Sequence, residues 1–148
     1  MARGFVEDNI RWQGERDFRR ILAAVRDQRD FDTAAECTPP LDVIETERGL
    51  EILVDVPGVP ASAIDVHLSG NALVIAGTKQ AAACQHDGAG FHLAERTFGR
   101  FGRAIPIEGA YDGARATASV SHGELRIVLP HLAERRRGEI RIPVRDAR

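Results

Sequence analysis

Residues 50–59 read Leu-Glu-Ile-Leu-Val-Asp-Val-Pro-Gly-Val, and this stretch decides the fold. Its apolar side chains recur at every second position, at Leu50, Ile52, Val54 and Val56. Successive side chains of a β-strand point to opposite faces, so the alternation predicts a strand with one buried face. Pro57 and Gly58 then end the strand, because proline fixes φ and lacks an amide donor while glycine tolerates positive φ.

The same alternation returns on both sides of this stretch. It predicts further strands at Leu41–Thr46, Ile64–Ser69, Ala72–Ala76, Phe91–Phe98, Arg100–Ile107, Ala116–Val120 and Glu124–Leu129. Gly70-Asn71 lies between two of them and predicts a hairpin turn. Pro106 suits an edge strand or a strand end, because it cannot donate to a central ladder. About eight short strands separated by turns predict an all-β domain, and specifically a β-sandwich.

Composition sets the size and class of the chain. Its 148 residues fit one domain of about 100 residues with extensions. An apolar fraction of 43% suffices for a core, and a net charge of −2 gives no electrostatic basis for binding nucleic acid. Two cysteines, Cys37 and Cys84, suggest no disulfide framework. The N-terminus is charged where a signal peptide would be apolar, and no stretch is long enough to span a membrane. We expect a soluble, cytoplasmic protein.

Residues 78–92 interrupt the strand pattern with small and polar residues and glycines. A loop of this length inside a compact domain is uncommon and often functional or mobile. Cys84, His86 and His92 lie in it, but their spacing lacks the paired ligands of a zinc site. The sequence also lacks the Gly-x-x-x-x-Gly-Lys-Ser/Thr loop that binds phosphates. It therefore predicts no metal site, no cofactor and no enzymatic activity.

An N-terminal arm, residues 1–38, precedes the β domain. Its apolar residues Phe18, Ile21, Leu22 and Val25 follow the i, i+3, i+4, i+7 spacing of an amphipathic helix. Pro39 and Pro40 separate the arm from the domain, because a residue before proline avoids the α region. The stripe has three interpretations. It could pack on its own domain or a neighbouring subunit, bind unfolded client proteins, or lie on a membrane surface, although the acidic residues of the arm argue against strong membrane attraction.

Several segments, in order and spacing, resemble the small heat-shock proteins. They are Asp55–Val59, Leu73–Gly77, Glu95–Arg103, Ala118–Pro130 and Ile140–Ile142, and the resemblance extends over roughly residues 40–144. It implies an immunoglobulin-like β-sandwich, the α-crystallin domain, at residues 39–131. The arm of residues 1–38 would precede this domain, and a flexible C-terminal extension of residues 132–148 would follow it.

The resemblance also implies a function. Members of this family are ATP-independent chaperones that hold partly unfolded proteins and prevent their aggregation, as exchanging oligomers of dimers. On this chain the expected client-binding residues are those of the arm: Trp12, Phe18, Ile21, Leu22 and Val25. The alternative is a specific adaptor or co-chaperone of the same fold without general holdase activity.

Two interfaces follow from the same resemblance. A segment near Phe91–Thr97 would pair with the first domain strand of a partner, and the expected dimer-interface residues are Phe91, Leu93, Glu95, Arg96 and Arg103. The tail would dock through Ile140, Ile142 and Val144 into a groove of another subunit lined by Ile64, Val66 and Leu68. Ile140 and Ile142 lie on one face of an extended segment. Ile142 and Val144 offer an overlapping register, and the sequence does not choose between the two.

Overall fold

A computed structural model describes residues 36–81, 88–132 and 139–147. In this part of the chain nine strands form two sheets, and one 3₁₀ turn spans Ala61–Ala63. The strands are β1 Leu41–Thr46, β2 Gly49–Asp55, β3 Ile64–Ser69, β4 Ala72–Lys79, β5 Gly99–Pro106, β6 Thr117–Ser121, β7 Glu124–Pro130, β8 Glu139–Ile142 and β9 Val144–Asp146.

The two sheets pack on a shared core. One has the strand order β1-β2-β7-β6-β9 and the other the order β5-β4-β3-β8. Neighbouring strands are antiparallel except β6 and β9, which are parallel. This architecture confirms the predicted all-β sandwich. The expected helix of the arm, with Phe18, Ile21, Leu22 and Val25, lies outside the described residues, as does Trp12.

The core is aliphatic, as the alternation predicts. In β2 and β7 the inward side chains of Ile52, Val54, Leu125, Ile127 and Leu129 have no exposed surface. Ile52 lies opposite Ile127 and Val54 opposite Leu125, so these pairs contact each other across the two strands. Burying such a side chain contributes about 1.5–3 kcal/mol, and these strands therefore form the most stable part of the sheet.

The turn at Gly70-Asn71 was predicted correctly, but the strand that follows it is longer than expected. β3 and β4 form an antiparallel hairpin, and Gly70 has a φ of 59°. Gly77 was expected to end β4, yet the strand continues to Lys79. A Cβ at Gly77 would lie 2.6 Å from the carbonyl oxygen of Ala63 and would overlap the Phe101 ring. Glycine is therefore present here because neighbouring groups approach the strand closely.

The prediction of a strand at Phe91–Phe98 was wrong for the single chain. Residues 91–98 belong to neither sheet, and β5 begins after them at Gly99. Their side chains up to Thr97 are exposed. A strand needs a neighbouring backbone to pair with, and this segment has no such neighbour among the described strands. Pro106 does occupy the expected position, at the end of the edge strand β5.

Gly49 is the residue at which the backbone of β2 tolerates least change. It pairs with both Thr46 and Pro130, has a φ of 143°, and a Cβ there would overlap the carbonyl oxygen of Leu129. We predict that Gly49→Ala lowers the free energy of unfolding by about 1–3 kcal/mol, through backbone strain and overlap. Urea unfolding measures the change. Gly90→Ala is the control, because a Cβ there meets open space. Equal stability of the two variants would contradict the prediction.

Candidate functional site

The two sheets leave an opening between their strands β3 and β6, and the C-terminal tail lies in it. β8 pairs with β3 in antiparallel orientation, and β9 pairs with β6 in parallel orientation. Pro143 lies between β8 and β9, where the chain crosses from one sheet to the other. The amide of Ala147 continues the second ladder by donating to the carbonyl of Val120 over 2.9 Å. The tail is thus hydrogen-bonded to both sheets.

Ile142 is the central residue of this docked tail. It lies opposite Val66 in the β3–β8 ladder and is only 1% exposed. It belongs to the same continuous core as Val66, Leu68, Ala118 and Val120. A side chain of the tail therefore supplies part of the core of the domain.

Ile140 and Val144 flank Ile142 and are half-buried. Ile140 lies opposite Leu68, and Gly113 provides the space for its side chain: a Cβ at Gly113 would lie 2.8 Å from Ile140 Cδ1. Val144 lies opposite Ala118 in the β6–β9 ladder. It also lines a shallow depression together with Ala61, Ser62, Ile64, Arg141 and Pro143.

The structure therefore brings together all six residues that the sequence assigned to the tail and to its groove. Both registers left open by the sequence are represented, because Ile142 is central and has a neighbour on each side. The position of the groove differs from the expectation. The resemblance implied docking on another subunit, whereas this tail lies in the groove of its own chain.

Arg141 faces away from the core, between the two isoleucines. Its Nη2 atom lies 2.6 Å from Oδ1 of Asp65 on β3, and the arginine side chain is 69% exposed. Exposed ion pairs contribute about 0–1 kcal/mol, so this pair adds little to the strength of docking. It does favour one register, because a slip by one residue would turn Arg141 towards the core.

The other candidate site is the edge of the sandwich at β1. This strand ends its sheet, and its residues Val43 and Ile44 are exposed. Phe91 and Leu93 are more exposed still, at 79% and 74%. These four are the exposed large apolar side chains among the described residues. Among the described strands β1 has a neighbour on one side only, and an edge strand that carries exposed apolar side chains is suited to pairing with another chain.

The remaining residues predicted for the dimer interface have different environments. Glu95 and Arg96 are exposed, and the guanidinium carbon of Arg96 lies 4.7 Å from the centre of the Phe98 ring. Arg103 is half-buried, and its Nη1 donates to the carbonyl of Pro39 over 2.8 Å, directly before β1. Within one chain, Arg103 thus fixes the start of the edge strand.

The described residues offer little that could perform redox or metal chemistry. Cys37 is half-buried beside β5, and burial raises the pKa of its thiol, which disfavours the reactive thiolate. In the described ranges no three or more His, Cys, Asp or Glu side chains are grouped as a metal site would require. Cys84 and His86 lie outside these ranges, and His92 lies in the exposed segment.

A cross-strand ion pair supports the outer face of the five-stranded sheet. Nε of Arg126 on β7 donates to Oε1 of Glu51 on β2, and this hydrogen bond lowers the pKa of Glu51. The pair lies outside the groove and takes no part in holding the tail.

Within residues 36–81, 88–132 and 139–147, no helix has the length and apolar character needed to cross a membrane.

Three features of the site have weak or no signals in the sequence. β9 is short and polar at its end, and it becomes a strand because β6 offers it a free edge. Asp112-Gly113 signals a turn, but nothing in the neighbouring sequence shows that Gly113 makes room for Ile140. Cys37 forms a parallel bridge with Phe101, although Pro-Pro follows closely and suggests a boundary. Each depends on contacts between residues that are distant in sequence.

Comparison with known proteins identifies relatives of one kind. Residues 42–145 match the model of the Hsp20/alpha crystallin family. Small heat shock protein C4 of Rickettsia felis is 30% identical over 105 residues, which are 71% of this chain and 64% of that protein. The 17.7 kDa class II heat shock protein of Arabidopsis thaliana is 30% identical over 102 residues, 68% of this chain and 65% of its own. The chain thus spans slightly less than two thirds of the length of these relatives.

Solved structures agree with this. Heat shock protein 16.0 from Schizosaccharomyces pombe superposes with a TM-score of 0.60 at 28% identity, covering 69% of this chain and 72% of that one. A small heat-shock protein from Xylella fastidiosa, described as having a distinct high order structure, gives a TM-score of 0.60 at 28% identity. It covers 70% of this chain and 95% of its own.

We predict that Ile142→Ala releases the tail from its groove. Truncating a fully buried isoleucine costs about 2–5 kcal/mol, which exceeds what the exposed contacts of the tail can replace. Hydrogen exchange measures the result as faster exchange of the amides of β8 and β9. Arg141→Ala is the matched control, since losing the ion pair with Asp65 costs less than about 1 kcal/mol. Equal effects of the two variants would show that Ile142 does not hold the tail.

A second prediction concerns the space at Gly113. Gly113→Val places a side chain in the volume that Ile140 occupies, because a Cβ there already comes within 2.8 Å of Ile140 Cδ1. The substitution should increase the rate of amide hydrogen exchange in β8. Adding Ile140→Ala should partly restore protection in the double variant, since the smaller side chain relieves the overlap. Additive losses in the double variant would contradict direct contact.

Proposed function

The chain belongs to the Hsp20/alpha crystallin family, and from this premise we propose that it is an ATP-independent holdase chaperone. It binds partly unfolded proteins and prevents their aggregation. Binding of this kind is mass action on exposed apolar surface, so it requires no nucleotide. The proposal places this activity in the cytoplasm.

The observation that carries the proposal is the apolar groove between β3 and β6, which is covered by a side chain of the C-terminal tail. Apolar side chains line the groove, namely Val66, Leu68, Ala118 and Val120, and Ile142 of the C-terminal tail covers them. Burying Ile142 contributes about 1.5–3 kcal/mol. Ordering each residue of the tail costs about 1–2 kcal/mol of backbone entropy. The cover is therefore held weakly and can be exchanged for another apolar segment.

We further propose that the same groove joins subunits. A tail can leave its own groove and enter that of a sister chain with the same ladders and the same buried Ile142, so the two states differ little in energy. Single contacts of this kind are weak, but many of them in one assembly become strong through effective concentration. The result is an oligomer that persists while its subunits exchange.

The basic unit of this oligomer is proposed to be a dimer formed at the exposed edge. Phe91–Thr97 of one chain would pair with β1 of its partner, which would cover Phe91 and Leu93 and extend the sheet. Support comes from the position of β1 at the edge of its sheet and from the exposure of its own residues Val43 and Ile44. Pairing of this type satisfies backbone groups and buries apolar side chains in one step.

Clients are proposed to bind at two surfaces. One is the groove when its tail has left. The other consists of the apolar residues of the arm, namely Trp12, Phe18, Ile21, Leu22 and Val25. Both surfaces consist of aliphatic and aromatic side chains without a specific polar pattern, which suits the binding of diverse unfolded segments.

The direct test is suppression of aggregation. A heat-labile model enzyme is warmed in the absence of ATP with one subunit of this protein per client molecule, and light scattering is recorded. We expect scattering to be strongly reduced, and an equal mass of an unrelated globular protein to have no such effect. Undiminished scattering at this ratio would refute the holdase proposal and favour a specific adaptor of the same fold.

The assembly proposal has a separate test. Replacing Ile140 and Ile142 by alanine should reduce the particle mass toward that of a dimer, measured by multi-angle light scattering, because the buried contacts that join dimers are removed. Arg141→Ala should leave the mass unchanged. An unchanged mass in the double alanine variant would exclude the tail as the joint between dimers.

A further inference from the structure

On β4 and β5 the outer face of the four-stranded sheet carries mainly small and apolar residues, and those at its centre on β4 are shielded from solvent. Ladder partners in a sheet share a face, and Leu73 and Ile75 of β4 lie opposite Leu68 and Val66, whose side chains are in the core. The residues between them must point away from the core. These outward residues are Ala72, Val74 and Ala76 on β4. Their ladder partners are Pro106, Ala104 and Gly102 on β5, and Ser69, His67 and Asp65 on β3.

The exposure of these outward residues is far lower than the two-layer fold explains. Val74 has no exposed surface and Ala76 only 1%, yet neither belongs to the core cluster between the sheets. The Oγ1 atom of Thr78, on the same face, is also shielded from solvent and has no hydrogen-bond partner in the described part of the chain. Sheet residues on an uncovered face retain contact with water, so this face must carry a third layer.

The described elements do not provide this layer. The elements in substantial contact with β4 are its ladder neighbours β3 and β5 and the 3₁₀ turn at Ala61–Ala63. The turn approaches β4 at Gly77, which lies on the core side. The third layer is therefore none of the nine strands and not the 3₁₀ turn that the structure describes.

We propose that the third layer is the N-terminal arm of the same chain, docked through the stripe Phe18, Ile21, Leu22 and Val25. Chain connectivity supports this. The amide of Glu36 donates to the carbonyl of Arg100 on β5 over 2.8 Å, and Cys37 forms a bridge with Phe101. The arm thus joins the domain beside β5, two strand spacings or about 10 Å from β4.

The dimensions of the two surfaces match. The stripe from Phe18 to Val25 is about 10 Å long on a helix. The row from Ala72 to Ala76 is about 13 Å long on a strand. Residues 26–35 can span up to about 33 Å, which is ample for the distance from the stripe to Glu36. Alanine and glycine keep the face flat, so that a helix can approach the sheet closely and bury its larger side chains.

This inference does not depend on chaperone activity, since it concerns only where the arm rests. It does have a consequence for the arm: the stripe is hidden while docked, and any other partner of the stripe must compete with the sheet. Docking of the arm on its own chain is favoured over docking on a second copy, because the short connection gives the arm a high effective concentration at this face.

Thiol accessibility tests the proposal in the full-length chain. Val74→Cys is introduced together with Cys37→Ser and Cys84→Ser, and the rate of reaction with a maleimide is measured. Ile21→Asp with Leu22→Asp should increase this rate by about tenfold or more, because the third layer is released. The matched control is Ala23→Asp with Ala24→Asp, which adds the same charge outside the stripe and should leave the rate unchanged.

A core probe separates release of the arm from unfolding. In the same background Ile75→Cys, on the core side of β4, should stay protected in every arm variant. An unchanged rate at position 74 in the Ile21 and Leu22 variant would overturn the proposal, as would equal acceleration at positions 74 and 75.

Disulfide trapping then identifies the owner of the docked arm. Leu22→Cys is combined with Val74→Cys in the background without the native cysteines and oxidised at low protein concentration. We expect a bond within one chain, seen as a faster-migrating monomer on a non-reducing gel, and no such bond for Ala23→Cys with Val74→Cys. A product at the mass of two chains would overturn the assignment to the same chain.

Discussion

The sandwich depends on closing the gap between β3 in one sheet and β6 in the other. Two sheets can share a dry core only if apolar side chains are shielded at the open sides as well as between the layers. In this protein Ile142 of the C-terminal tail provides that shield on one side. The groove, its cover and the proposed exchange between subunits are all consequences of this arrangement.

Much of the fold could be predicted from the sequence because local pattern and tertiary structure agree. The alternation at Leu50–Val56 identified a strand buried on one face, and Gly70-Asn71 identified a hairpin turn. The strand and the turn are encoded in neighbouring residues, so they can be recognised without knowledge of distant contacts. The docking of Ile140, Ile142 and Val144 against Ile64, Val66 and Leu68 was instead implied by the resemblance to the small heat-shock proteins, because these two sets of residues are distant in sequence.

The remainder could not be predicted because it depends on what the chain meets elsewhere. Phe91–Phe98 alternates like a strand, but a strand forms only where another backbone offers hydrogen bonds, and no strand in the described part of the chain pairs with it. Gly77 resembled a strand end, whereas its role is to admit Phe101 and Ala63. The resemblance implied docking in the groove of another subunit, whereas the tail lies in the groove of its own chain.

Pro143 gives the docked tail a built-in point of division. Proline has no amide hydrogen, so neither ladder continues through it, and the segments on its two sides are attached to different sheets. The tail can therefore peel away in two stages, with β9 leaving β6 while β8 keeps Ile142 seated. When β9 alone has left, Ala118 and Val120 of β6 are uncovered first. An incoming segment could then bind to β6 before β8 has left the groove. In the proposed exchange between subunits, such stepwise replacement would avoid a fully uncovered groove, and the exchange rate would depend on the incoming segment as well as on the departing one.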